Sequence, residues 1–250
     1  MRFTAPLALL FTFLTASAQA QSVAFPGPGM AHAAASITVT NIGVNNNTSG
    51  ATLALTSVTV PASSLIIVGV CEYNSGTGGS GTVSDGVNTY TLIKAASPNS
   101  LHGTCSIYSA PSASLTSGTI TYTKFLTGSV TAISAFYASN MVSQAADSAV
   151  SASATGNSTS PSVTSGTPAV AGELFVALCG QADVVGPVST FTQDTAHGWT
   201  TPFVDSVAGT SPTASVDGGS QVNGSLSSLT FSPTLSSGGN WAAIVVGFKP

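Results

Sequence analysis

Leu65-Ile66-Ile67-Val68-Gly69-Val70-Cys71 is a seven-residue run without a polar side chain on either face. A half-buried strand alternates apolar with polar, so an unbroken run of mostly β-branched residues marks a strand covered on both sides. Leu174-Phe175-Val176-Ala177-Leu178-Cys179 reads the same way, and so does the segment from Trp241 to Phe248. Outward from these three, the pattern changes to period two. Ile37-Thr38-Val39-Thr40, Thr119-Ile120-Thr121-Tyr122-Thr123 and Leu229-Thr230-Phe231 alternate apolar residues with Thr, as strands with one wet face do. Gly/Ser clusters at 74–81 and 236–240 supply turns. Sustained helical spacing is absent after the first twenty residues, and only 141–149 could form a short helical turn. Many short strands with Gly/Ser turns predict an all-β, antiparallel β-sandwich or jelly roll.

The apolar strands recur in order. Residues 66–71 line up with 174–179 at an offset of 108, 120–122 with 229–231 at 109, and Ala132-Ile133 with Ala243-Ile244 at 111. Tandem domains and one sandwich with two pseudo-symmetric halves both give such a pattern. Each half spans only about 75 residues and carries few charges for an independent surface, which favours a single domain. The expected organisation is one domain over 21–250, with pseudo-repeats at 63–137 and 171–248. The Ser/Thr/Ala-rich segment 148–167 is the expected crossover between them.

Charge excludes several functions. Only 5 % of the 250 residues are Asp, Glu, Lys or Arg, against about a quarter in an ordinary domain. Four cations cannot form the clustered basic surface that phosphates require, so no nucleic-acid partner is expected. A net charge of −4 with 43 % apolar residues also excludes disorder by self-repulsion. Met1-Arg2, an apolar run over 3–14 and Ala18-Gln19-Ala20 have the form of a secretory signal peptide over 1–20, with the mature chain starting at Gln21. The run is shorter than the roughly 20 residues of a membrane span, so no membrane partner is expected. The chain is therefore expected outside the cytoplasm, secreted or periplasmic. Cleavage after Ala31 would instead expose His32, which with His102 could form the copper brace of lytic polysaccharide monooxygenases. That position lies far beyond the apolar run, and Gln21 is the expected start.

A further set of features follows in order along the chain. An Asp85-Gly86-Val87-Asn88-Thr89-Tyr90 hairpin follows the first apolar strand, then Ile107-Tyr108, Asp147 before a Ser/Ala run, Gly172-Glu173-Leu174, and Asn240-Trp241 near the end. Over about 55–250 this order resembles secreted bacterial β-sandwich modules of no settled function. The resemblance implies a jelly-roll-like sandwich outside the cytoplasm and brings no catalytic residues with it.

Catalytic and metal patterns are not assembled in the sequence. No Gly-x-Ser-x-Gly elbow occurs. The histidines His32, His102 and His197 lie in separate loops without the short ligand spacing of a zinc site. Glu72 and Glu173 sit at opposite ends of the two repeated strands, so they do not form a glycosidase pair. Asp85 and Asn88 are too few for a calcium site and read as a turn in which both bond the local backbone. No catalytic residue, metal or cofactor is therefore assigned, and the chain reads as non-catalytic.

Three cysteines in an exported chain point to one disulfide. Cys71 ends one strand and Cys105 begins another in the same half, which makes Cys71–Cys105 the best pair. Cys179, aligned with Cys71 by the repeat, would then be a buried thiol. Cys71–Cys179 or an intermolecular bond is also compatible with three cysteines.

Binding residues are sought where the repeated strands end. Pseudo-symmetry should bring Glu72, Tyr73 and Asn74 to the same end as Gln181 and Asp183. Tyr73 and Trp199 fall in loops and are expected to present aromatic faces, as sugar-binding modules do. The expected function is a secreted module binding a polysaccharide or cell-surface glycan through Glu72, Tyr73, Asn74, Gln181, Asp183 and Trp199. Two alternatives stand beside it. A self-assembling surface protein fits the low charge, and an exported enzyme with a scattered site would show acids or histidines converging in a cleft.

Overall fold

Leu65–Tyr73, marked by its unbroken apolar run, is the central strand of a five-stranded antiparallel sheet. The computed structural model describes residues 36–250, apart from 75, 77, 99–101, 142, 184–188, 201–202, 204–205 and 210–211. The leader over 1–20, the expected start at Gln21 and the alternative one at His32 lie outside the described residues. Residues 35–250 belong to one compact unit.

The first half holds β1 (Thr38–Asn47), β2 (Thr52–Val60), β3 (Leu65–Tyr73), β4 (Thr82–Ser84), β5 (Thr91–Ala96), β6 (Gly103–Pro111), β7 (Leu115–Thr123) and β8 (Val130–Ser139). Its larger sheet has the order β1-β8-β3-β6-β5 and its smaller one β2-β7-β4. The second half holds β9 (Ala146–Ser158), β10 (Val163–Thr164), β11 (Glu173–Asp183), β12 (Phe191–Thr192), β13 (Ser206–Ala208), β14 (Thr213–Asn223), β15 (Thr230–Phe231), β16 (Thr234–Leu235) and β17 (Gly239–Phe248). Its larger sheet runs β9-β17-β11-β14-β13. Counted from the start of each half, both five-stranded sheets therefore have the order 1-8-3-6-5. The smaller sheet also repeats, with its seventh strand split into β15, which pairs with β10, and β16, which pairs with β12. The repeated unit is thus longer than 63–137 and 171–248. Five strands face three in the first half, and five face two short two-stranded sheets in the second.

Three cores separate four layers. One lies between β3 and its small sheet, with Ile66, Val68 and Val70 against Leu55, Ile120 and Tyr122. A matching core in the second half packs Phe175, Ala177 and Cys179 against Val163, Trp199 and Phe231. The third is central, where Leu65, Ile67 and Cys71 meet Leu174, Val176 and Leu178. Each large sheet is covered on both faces, and this is why β3, β11 and β17 carry no polar stripe. β3 lies over β11, β8 over β14, and β5 over β9. That arrangement follows from a pseudo-twofold axis along the strand direction, so corresponding strand ends share an end of the molecule.

Several expectations need correction. Segment 148–167 is not a free crossover, because β9 and β10 occupy most of it. Over 152–157 half-buried and exposed residues alternate at the sheet edge, a pattern that composition alone hides. Residues 141–149 form no helical turn among the described residues and lead into β9; the 3-10 turn lies instead at Thr195–His197. The alignment of Cys179 with Cys71 is one residue out of phase. Cys71 faces the central core and Cys179 the outer core, so facing directions agree when Cys71 corresponds to Gly180, the offset of 109 that also relates 120–122 to 229–231. Cys179 is nonetheless a buried thiol, and Cys71 and Cys105 form a disulfide across the β3–β6 register, with Cα atoms 4.1 Å apart.

Candidate functional site

The ends of β3 and β11 meet as the twofold axis requires. Gly103, the register partner of Tyr73, lies against Ala182, so close that a Cβ on Gly103 would sit 2.4 Å from the Ala182 methyl. Tyr73 packs at the end of the central core here, and its ring lies 6.1 Å from that of His102. Burial raises the pKa of its phenol and the nearby Asp183 carboxylate adds to the effect.

One residue on, the Asn74 N–H donates to the His102 carbonyl at 2.9 Å, which fixes the backbone. The Asn74 side chain is only 2 % exposed, and neither its amide nitrogen nor its oxygen has a partner among the described residues. Tyr73 and Asn74 line a cavity of about 300 Å³ with Leu126, Ser129, Val130 and Pro212. Pro212 belongs to the second half, so the cavity sits on the seam between the sandwiches.

Its outer wall, residues 124–129, is held by Glu72. The Glu72 carboxylate is fully buried and accepts the Tyr122 hydroxyl at 2.7 Å and the N–H groups of Phe125 and Leu126 at 3.1 Å each. Lys124 donates from below to the carbonyls of Ser49, at 3.0 Å, and Ser129. Desolvation lowers the Lys124 pKa, and the Glu72 carboxylate opposes that fall. The wall carries two exposed apolar side chains, Phe125 at 45 % and Leu126 at 38 %, at the cavity end of the molecule.

The expected site residues therefore separate. Tyr73 and Asn74 share the cavity and Asp183 lies near Tyr73, where it accepts the Asn240 N–H at 3.2 Å and side-chain amide at 3.0 Å. Glu72 supports the wall and does not line the cavity, and Gln181 is buried away from it, with its amide against Gly239 of β17. The expectation that Tyr73 and Trp199 present open aromatic faces fails. Tyr73 is 7 % exposed, because its ring belongs to the central core. Trp199 is 2 % exposed, edge-on to Phe231 at 5.2 Å, and donates its indole N–H to the Thr230 carbonyl at 2.7 Å. Leu126, Ser129, Val130 and Pro212 line the cavity without being among the expected site residues, because nothing local in the sequence marks them.

Asp194 caps the 3-10 turn, taking the His197 N–H at 3.3 Å and ring Nδ1 at 2.7 Å, and also the Ser232 N–H at 2.6 Å. Asp85 makes the expected turn: its carboxylate accepts Val87 and Asn88 N–H groups, the Asn88 amide and the Tyr90 hydroxyl. Among the described residues no three His, Cys, Asp or Glu side chains converge as a metal-binding group. Also among them, no helix is long and apolar enough to cross a membrane. No protein-family model, curated protein or solved structure matches the chain.

Proposed function

We propose that this chain is an exported, non-catalytic β-sandwich protein that binds a neutral glycan in the Tyr73–Asn74 cavity. The Met1–Ala20 leader pattern and the Cys71–Cys105 disulfide support export. One observation carries the binding reading: a buried amide, Asn74, holds a donor and an acceptor that both lack a partner among the described residues, beside a cavity. A buried polar group without a partner costs about 1–3 kcal/mol. A sugar hydroxyl, donor and acceptor at once, answers both atoms of Asn74. The Tyr73 edge, Leu126 and Val130 supply the apolar surface that a pyranose ring's C–H groups need. The chain has few charges to contribute, so binding should depend only weakly on salt.

The test is retention on a glycan array and a panel of immobilised polysaccharides, comparing wild type with Asn74→Leu and Tyr73→Ala. The expected result is retention by wild type and at least a tenfold loss in Asn74→Leu, the equivalent of about 1.4 kcal/mol, with unchanged circular dichroism. No retention on any polymer, or retention indifferent to both substitutions, removes the reading. Concentration-dependent oligomers in that case would favour self-assembly, for which the 13-residue edge strand β9, charged only at Asp147, is the natural contact.

A further inference from the structure

A second group of orphaned polar atoms lies at the opposite end of β11. Glu173 opens that strand with 0 % exposure. Neither of its carboxylate oxygens receives a hydrogen bond of normal geometry among the described residues. The side chain lies over Gly247 of β17, with Oε2 3.0 Å from where a Gly247 Cβ would be. Across β17, the register partner of Gly247 is Asp147 of β9, also buried. The two carboxyl groups thus approach each other over Gly247, which has no side chain to separate them, with Val150 packed against the same glycine. Asp147 already accepts the Ala149 N–H at 2.9 Å.

Two carboxylates facing each other have no donor between them, and two like charges in a buried site repel. One proton turns the repulsion into a hydrogen bond. We propose that Glu173 and Asp147 share a single proton, carried by Glu173, and form an acid-stabilised clasp between β11 and the edge strand β9. Other groups reaching the pair are few. The Lys249 ammonium, beyond the end of β17, and the Val170 N–H favour ionised Glu173. Burial and Asp147 outweigh them and raise its pKa.

The sign of the pH effect follows. A carboxyl whose folded pKa lies above its unfolded value contributes its full stability below the ordinary Glu range. That contribution is lost as pH rises through the raised value. Alkaline conditions therefore loosen the start of β9, next to residues 140–145 that join the two halves.

Thermal unfolding of the whole mature protein between pH 4 and pH 8 tests the clasp, with Glu173→Gln and Asp147→Asn beside wild type. Glutamine has the shape of protonated Glu and donates to Asp147 at every pH. Glu173→Gln should match wild type at pH 4 and melt a few degrees higher at pH 8. Infrared spectra of wild type followed across the pH range should show a protonated carboxyl band that persists above the ordinary Glu range and that Glu173→Gln lacks. Parallel melting profiles for wild type and Glu173→Gln, or no such band, would overturn the proposal. So would a calcium-induced rise in melting temperature at pH 8 that Glu173→Gln abolishes, because the pair would then be a cation site.

Discussion

Glu72 shows how a residue can matter to a site without touching what the site holds. It is buried with three donors on its carboxylate, two of them backbone N–H groups of the cavity wall. Glu72→Gln replaces one acceptor oxygen with an amide nitrogen and leaves a buried donor unmet. Denaturant unfolding should show a loss of about 1–3 kcal/mol, and glycan retention should weaken along with it. Tyr122→Phe should cost a similar amount by removing the hydroxyl that joins Glu72 to the Gly81 N–H, 2.8 Å away. The Asp85 turn gives a pH effect opposite in sign to that of Glu173. Burial pushes the Asp85 pKa up, but hydrogen bonds from Asn88, Val87 and Tyr90 outweigh it and hold the pKa below the ordinary Asp value. Its stabilisation is present above the unfolded pKa and is lost as pH falls through the folded one. Asp85→Asn should therefore flatten the acid side of the melting-temperature profile, and an unchanged acid side would contradict the assignment.

At the scale of elements, the pairing of β3 with β6 is the one reinforced covalently. The Cys71–Cys105 bridge spans a sequence separation of 34. Closing a loop of that length stabilises by roughly 3–4 kcal/mol in the chain-entropy model. Reduction, or the double substitution Cys71→Ala with Cys105→Ala, should lower the unfolding free energy by about that much; equal stability with and without reductant would exclude a structural bridge. β11 has no counterpart, because the position that corresponds to Cys71 is Gly180. Cys179, one residue earlier, faces the outer core, and burial pushes its thiol pKa well up. It should resist iodoacetamide in the native protein and react only after unfolding. Labelling of the folded chain would show that the outer core of the second half opens.

At the scale of the whole molecule, the two sandwiches close on each other where residues related by the repeat touch. A Cβ on Gly180 would lie 1.9 Å from the Cys71 sulfur, and one on Gly69 would lie 2.5 Å from a Leu178 methyl. The disulfide fills the space that a side chain at Gly180 would take. Gly180→Ala should therefore force the large sheets apart and cost about 1–3 kcal/mol, the range for overpacking a core. The exposed substitution Val87→Ala should cost nothing measurable. If Gly180→Ala leaves the unfolding free energy unchanged, the central core is looser than its packing indicates.

Sequence by itself determined the all-β class, the doubly covered strands and the existence of a repeat, and it favoured Cys71–Cys105 among the pairings that three cysteines allow. Apolar runs and period-two alternation are local consequences of which faces meet water, so residues 65–71 and 174–179 declare themselves without reference to the rest of the chain. The phase of the repeat was not legible. A slip of one residue turns every side chain to the other face, and a run that is apolar on both faces carries no mark of which face is which. Only the tertiary structure decided that Cys71 and Gly180 correspond, that Trp199 is core and that 148–158 belongs to a strand. The Tyr73–Asn74 cavity and the Asp147–Glu173 pair were equally hidden. Each depends on contacts between segments far apart in sequence: Tyr73 with Val130 and Pro212, and Asp147 with Glu173 across Gly247. In a chain with 39 Ser and 33 Thr, loop composition is nearly uniform, so no local signal distinguishes a loop that lines a cavity from one that only turns. Packing makes that distinction, because a polar atom becomes a binding group only when the surrounding fold removes water from it and gives nothing in return.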